Sequence, residues 1–436
     1  MGNQDLLARS LQAVWHPCTQ MKSHETLPLV PIQRGEGVWL YDMDGKRYLD
    51  AVSSWWVNLF GHSNPRIKAA IKEQLDQLEH VILAGFTHEP VVQLSERLSV
   101  LTGLGHCFYA SDGASAIEIA LKMSFHYWRN TGHPDKTRFI SLQNSYHGET
   151  LGALSVTDVA LFKDTYAPLL RQSAQVRSPD WRLAERGESA EDYARRCANE
   201  LEAYIAEHHH ETAAFIVEPL VQCAAGMGMY HAIYLKCARE ICDQYQVHLI
   251  ADEIAVGFGR TGTMFACEQA GISPDFMCLS KGISGGYLPL SVTLTTEKIY
   301  QAFYHDDVSH GFLHSHSYTG NALACSAALA TLDIFEQDQV LQKNLGKAAY
   351  LNNKMRALTD LPIQHLRSTG MILAFEVETD NMHFQKDFYQ AALQRGLLLR
   401  PIGNTVYFMP PYVISEPELD WMVEQTQQLL AEIGNL

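Results

Sequence analysis

The sequence predicts an α/β protein in which a large domain, built on a mostly parallel sheet flanked by helices, is joined to a smaller α+β domain. Three observations carry this expectation. The chain has 436 residues, more than a single core usually fills. Between about residues 105 and 330, short apolar runs alternate with longer amphipathic stretches, the order that places helices against a parallel sheet. Beyond that point the texture changes to shorter strands and a capped helix. The divisions expected are 1–60 for an N-terminal segment contributing to the smaller domain, 61–330 for the large domain and 331–436 for the C-terminal smaller domain.

Residues 38–52 (VWLYDMDGKRYLDAV) form a hairpin pattern with its turn at Asp44-Gly45. The runs CFYA (107–110), RFISL (138–142), AAFIVEPLV (213–221), HLIADEI (248–254) and FMCLS (276–280) have the near-continuous apolarity of strands buried on both faces. Residues 178–212 are charge-rich and predict a solvated helix. Its run His208-His209-His210 points in different directions on a helix, so it decorates a surface rather than gripping a metal. MILAFEV (371–377), LLLR (397–400) and TVYFM (405–409) predict strands, the last two joined at Gly403-Asn404. A final helix begins near Ser415, with Glu418 completing a capping box. Its apolar stripe is Leu419, Met422, Val423, Leu429, Leu430 and Ile433.

Composition narrows the function classes. Apolar residues make up 47% and charged residues 19%, as in a folded globular chain. No run approaches the roughly 18 apolar residues that cross a bilayer. The N-terminus lacks the pattern of a secretory signal, and Leu6 stands where a myristoylation motif needs Ser or Thr. A cytoplasmic protein is expected. The net charge of −16 argues against nucleic-acid and anionic-membrane partners. An anionic small ligand must therefore be held by local groups. Nine cysteines are scattered without a CxxC pair, which favours neither disulfides nor a metal site.

In open parallel sheets, ligands bind at the carboxyl ends of strands, so the polar residues ending the apolar runs are the candidates. HLIADEI leads to Asp252-Glu253, and FMCLS leads to Lys281-Gly282. RFISL leads to Asn144, Tyr146 and His147, and CFYA to Ser111-Asp112-Gly113. A desolvated lysine is a nucleophile toward aldehydes. A carboxylate against a pyridine nitrogen keeps the ring protonated and electron-accepting. Spacing alone equally allows Asp252 and Lys281 a structural ion pair. Gly113 opens a helix whose free N–H groups could hold a phosphate, although an ordinary glycine turn reads the same.

GFGRTG (257–262) matches a dinucleotide fingerprint only weakly, since it lies beyond a strand end and opens no helix. In SSWWVNLFGHSNP, adjacent tryptophans are more often core than ligand wall, yet Trp55 and Trp56 cannot face the same side of a strand, so one of them could line an apolar pocket. Arg400, ending LLLR before Pro401, either points to solvent or clamps a carboxylate.

The combination ADEIAVGFGRTG and PDFMCLSKGISGG resembles the cofactor segment of the class III aminotransferases of pyridoxal-phosphate (PLP) fold type I. The resemblance covers almost the whole chain. WHPCTQM (15–21), SSWWVNLFGH (53–62), NSYHGET (144–150), HSYTGNALAC (316–325) and LLLRPIGNTVYFMPPY (397–412) narrow it to the members in biotin synthesis that move the amino group of S-adenosylmethionine onto 8-amino-7-oxononanoate.

By that resemblance Lys281 binds the cofactor's aldehyde and moves the substrate proton. Asp252 pairs with the pyridine nitrogen, Tyr146 packs on the ring, and Gly113 and Ala114 hold the phosphate. His316 and Ser317 match a segment reaching the neighbouring subunit's cofactor, which implies a homodimer. Trp55 resembles a wall of the substrate tunnel, and Arg400 the partner of the substrate's carboxylate. Cys18 replaces a substrate-recognising tyrosine, Ala114 a hydroxyl residue for which Ser115 could substitute, and Ser315 a glycine near the donor pocket. Glu149 stands where an aspartate can occur. After Glu218-Pro219 the run LVQCAAGM lacks the glutamate that many glutamate-using relatives carry. The alternatives are a class III enzyme with a lysine donor or an ω-amino acid substrate, a nicotinamide oxidoreductase, and an idle PLP-fold binding module.

Overall fold

The computed structural model describes residues 2–27, 29–358 and 361–433, and it divides into two compact units. One comprises Met1–Pro65 and Gly346–Leu436, the other Arg66–Leu345. The expected cut at 330 falls inside the helix Ala322–Gln337, which is continuous. Its small residues pack on the helix Glu89–Thr102 and on the turn Lys281–Ser284.

The larger unit is built on seven strands: β1 (His106–Ala110), β2 (Arg138–Leu142), β3 (Ala174–Val176), β4 (Thr212–Val217), β5 (His248–Asp252), β6 (Phe276–Leu279) and β7 (Ser291–Thr295). They lie in the order β1-β7-β6-β5-β4-β2-β3. Only β7 runs antiparallel to its neighbours. The five apolar runs predicted as strands are β1, β2, β4, β5 and β6. The reading missed β7 (SVTLT) because hydroxyls interrupt its apolar pattern. The fold satisfies two of them on backbone: Thr293 donates to the Ala116 carbonyl at 2.8 Å and Thr295 to that of Asp275 at 3.0 Å.

Helix α1 (Gly113–Asn130) follows β1 and buries Ile117, Ile119, Ala120, Tyr127 and Trp128. The charge-rich segment does form a helix, Ala190–His208, but it is only half solvated. Tyr193, Ala194, Cys197, Ala198, Leu201 and Ile205 are buried at helical spacing, a stripe that the surrounding charges concealed. His208 bonds Glu211 at 3.0 Å.

The smaller unit holds two sheets. The predicted hairpin pairs Trp39–Asp42 with Arg47–Asp50 around Gly45, whose φ of 88° suits glycine. Leu397 pairs in parallel with Leu49, so residues far apart in sequence share one sheet. Leu397–Leu398 and Thr405–Phe408 are therefore not one hairpin: the latter pairs with Ile372–Val377 in the other sheet. At the closing helix, Glu416–Ile433, Glu418 accepts from the Ser415 N–H and hydroxyl, both at 2.8 Å. Leu419, Met422, Val423, Leu429 and Leu430 are buried, while the side chain of Ile433 lies outside the described residues.

Candidate active site

Five parallel strands end on one edge of the large sheet, and each delivers a functional group there. Asp252 is the last residue of β5, and Lys281 follows β6 by two positions. Tyr146 and His147 follow β2, Glu218 follows β4, and α1 starts just after β1. Asp252 is buried and stands 2.7 Å from Nδ1 of the buried His147. Its other oxygen accepts from the Ile254 N–H at 3.1 Å. Opposite an ionised Asp252, His147 carries its proton on Nδ1. Nε2 of His147 is then a buried atom without a partner among the described residues.

Glu218 is also buried, and it accepts from the N–H groups of Tyr146 at 3.0 Å and Cys223 at 3.2 Å. Desolvation pushes its carboxyl up to about 7, and Asp252 adds to the rise while His147 opposes it. Desolvation lowers the pKa of the Lys281 ammonium, against the attraction of Asp252 and Glu218. A lysine tuned in this way has more of its amine free to attack an aldehyde or take a proton. Its backbone sits at φ 43°, unusual for a side-chain-bearing residue, and the turn is continued by Gly285 at φ 64°.

At the start of α1, Asp112 caps the helix by accepting from the Ser115 N–H at 2.9 Å. A Cβ on Gly113 would come within 3.0 Å of Ile254, the neighbour of the Asp252 turn. A Cβ on Gly148 would come within 2.6 Å of that of Ala114. Close approach therefore needs glycine at both places. The Ser115 hydroxyl donates to Asp112 at 2.9 Å. Tyr146 donates its hydroxyl to Glu149 at 2.9 Å, and its ring stands edge-on to Phe162.

These features fit a phosphorylated pyridine aldehyde: a lysine of lowered pKa, a buried carboxylate for the ring nitrogen, an aromatic beside them and a helix N-terminus for the phosphate. GFGRTG takes no part as a dinucleotide loop. Its Phe258, Gly259 and Gly262 all have positive φ, the motif opens no α-helix and is followed instead by the short 3-10 turn Ala266–Ala270, and Arg260 is almost wholly buried. Two residues that complete the polar cluster, Glu218 and the His147 that braces Asp252, carry no role from the sequence. The signal available was polar residues directly after β4 and β2.

A second group assembles in the smaller unit. Residues Ser53, Ser54, Trp55 and Trp56 all have positive φ, a left-handed turn rather than a strand. The buried Asp50 holds it, accepting from the Ser54 N–H at 2.8 Å and the Ser54 hydroxyl at 2.7 Å. The turn separates the two tryptophans. Trp56 is buried and donates to the Tyr407 hydroxyl at 3.1 Å, whereas Trp55 is half exposed. The Arg400 guanidinium lies 5.2 Å from the centre of the Trp55 ring and reaches the Cys18 carbonyl at 3.4 Å. Trp55, Cys18 and Arg400 are thus brought together. Cys18 meets Arg400 through its backbone, and both residues line a cavity of about 830 Å³ together with Tyr48 and Tyr389.

Ser315, His316 and Ser317 lie in a loop with other contacts. The His316 N–H donates to Thr319 at 3.1 Å, and the Ser317 carbonyl meets His80 at 2.8 Å. Ser315 is exposed.

Fold and cluster together define a PLP-dependent transaminase of fold type I. The chain belongs to the class III aminotransferases, whose family model matches residues 20–430. Its relatives include the adenosylmethionine-8-amino-7-oxononanoate aminotransferases of Helicobacter pylori, 48% identical over 99% of this chain and 98% of the relative, and of Geobacter sulfurreducens, 42% identical over 94% of each. Among solved structures, the enzyme of the same name from Methanocaldococcus jannaschii superposes with a TM-score of 0.93 at 36% identity over 99% of both chains. A PLP-bound amine transaminase from an uncultivated Pseudomonas species superposes at 0.92 with 32% identity, over 97% of this chain and 99% of the other. The cofactor is pyridoxal phosphate.

Proposed function

We propose that this enzyme transfers the amino group of S-adenosylmethionine to 8-amino-7-oxononanoate, giving 7,8-diaminononanoate for biotin synthesis. The observation that carries the reading is the Trp55–Arg400–Cys18 group, an aromatic face and a guanidinium beside an apolar cavity, in a chain 36–48% identical to relatives named for this reaction. A long acid with a carboxylate at one end matches an arginine that can take two parallel hydrogen bonds. The alternative, another class III aminotransferase with a lysine donor or an ω-amino acid substrate, has the same cofactor residues.

When bound, pyridoxal phosphate supplies the electron sink for moving an amino group between carbons. Lys281 would hold its aldehyde, and the freed amine of Lys281, its pKa lowered by desolvation, would take and return the substrate proton. Asp252, braced by His147, keeps a proton on the ring nitrogen. Gly113 and Ala114 hold the phosphate by backbone N–H groups, and Tyr146 faces the ring. Trp55 walls the acyl chain of the ketone substrate, and Arg400 holds its carboxylate, which orients the ketone. Ser315, His316 and Ser317 serve the neighbouring subunit's cofactor in a homodimer.

The test is a donor screen on the purified holoenzyme, following loss of the cofactor's aldehyde absorbance. S-adenosylmethionine should convert it, with lysine inert; conversion by lysine alone would move the enzyme to the alternative. Lys281→Ala should cost at least about 10²–10⁴-fold in turnover, and undiminished turnover would remove the assigned base. Arg400→Ala should raise KM for the ketone about ten- to a hundredfold, the worth of a charged hydrogen bond. It should leave the donor half-reaction nearly unchanged, and equal effects on both would remove that assignment.

A further inference from the structure

Lys122 projects from α1 at an exposed position, and its ammonium stands 2.8 Å from Nδ1 of His314. Nε2 of His314 stands 3.1 Å from Nε2 of His316. These two contacts place every proton. An ammonium only donates, so Nδ1 of His314 accepts and is bare. The one proton of that neutral ring is then on Nε2, and it is donated to His316. Nε2 of His316 accepts, which leaves the proton of the second ring on Nδ1. The chain of bonds begins at a fixed positive charge and ends at a polarised N–H donor.

We propose that Lys122, acting through His314, holds His316 as a neutral ring protonated on Nδ1 and so makes it a donor to a phosphate. This rests on the reading that residues 315–317 reach the neighbouring subunit's cofactor. Lys122 and His314 are positioning residues in this scheme, touching neither cofactor nor substrate. The same helix opens with Gly113 and Ala114, so one rigid element supports both phosphate contacts.

The arrangement is sensitive to acid. A protonated His314 cannot accept from Lys122, and a protonated His316 cannot accept from His314. The charged and titratable groups facing His314 are Lys122 and Glu118 from α1 and His316 from its own loop, with the rings of Phe108 and Phe312 as apolar neighbours. Desolvation, Lys122 and His316 all lower the pKa of His314, and Glu118 opposes them. His314 is accordingly the neutral ring of the relay at neutral pH.

The experiment measures cofactor retention by the holoenzyme in equilibrium dialysis, for wild type, Lys122→Met, Lys122→Arg, His316→Ala and the Met/Ala double variant. At pH 7.5, Lys122→Met should hold PLP about tenfold more weakly. Lys122→Arg should hold it nearly as wild type, which separates a lost donor from a damaged fold. The double variant should be no weaker than His316→Ala alone. Wild-type retention in Lys122→Met beside a weakened His316→Ala would overturn the relay. Retention unchanged in His316→Ala would overturn it at the level of the loop's assignment to the phosphate. A wild-type protein that takes up no PLP would instead bring down the cofactor reading beneath both.

Discussion

Asp50 and the turn it braces set the geometry of the proposed substrate group. Four consecutive positive φ angles from Ser53 to Trp56 cost conformational energy that a chain does not sustain unaided. Asp50 supplies the compensation. It bonds the Ser54 N–H and hydroxyl and also meets Nε2 of His62 at 3.0 Å. Ser53 adds a bond to the Met409 carbonyl at 2.7 Å. Asp50→Ala should destabilise the protein by about 2–4 kcal/mol in urea unfolding, because buried donors lose their acceptor. It should also raise KM for the ketone through Trp55, and an unchanged KM would detach the turn from substrate binding. Sequence reading recognised that the two tryptophans must diverge. It could not supply the left-handed turn, because no residue in SSWW favours positive φ and the compensating groups at 50, 62 and 409 are remote in sequence.

Among the elements, the junction of α1, β4 and the helix Ala190–His208 depends on a buried lysine. Lys136 donates to the carbonyls of His209, Thr212 and Gln246, at 2.5, 3.2 and 2.9 Å, and lies over the Trp128 ring. One ammonium thus closes a helix C-terminus, a strand start and a loop, and its bond to the Thr212 carbonyl is buried. Lys136→Met keeps the apolar stem and removes the donors. It should cost about 2–3 kcal/mol in urea unfolding, and a loss below about 0.5 kcal/mol would show that solvent reaches those carbonyls. Nothing in HPDKTRF marks this lysine for burial, whereas the strands around it were legible as apolar runs. The helix was legible too, but its buried stripe was masked by acidic and basic neighbours.

For the whole molecule, buried ionisable groups predict how stability varies with pH. Burial pushes Glu253 up to about 7 from 4.5, even though the Ala266 and Cys267 N–H groups stabilise its charge. Its raised folded pKa means that the native state binds more protons than the unfolded state between pH 4.5 and 7. Stability contributed below that window is lost as pH rises through it. Lys136 is shifted the other way, from 10.5 to about 8 by burial, so stability should rise with pH between those values. Glu253→Gln should flatten the first slope by about 3 kcal/mol between pH 4.5 and 7, measured as unfolding free energy in urea; an unaltered slope would show that Glu253 stays ionised in the fold.

Local chemistry was enough to determine five of the seven strands of the large sheet, the hairpin at Asp44-Gly45, the helix opening at Gly113 and the polar residues after each apolar run. Each depends on residues close in sequence, where periodicity and turn chemistry speak directly. The resemblance added the family and the roles proposed for Lys281 and Asp252. Tertiary structure alone decided that Leu397 pairs with Leu49, that β7 completes the sheet in the opposite direction, and that Glu218 joins His147 and Asp252 in a dry cluster. These features come from contacts between distant segments. Burial there changes the cost of charge and the value of each hydrogen bond, and burial is a property of the folded chain rather than of any residue in it.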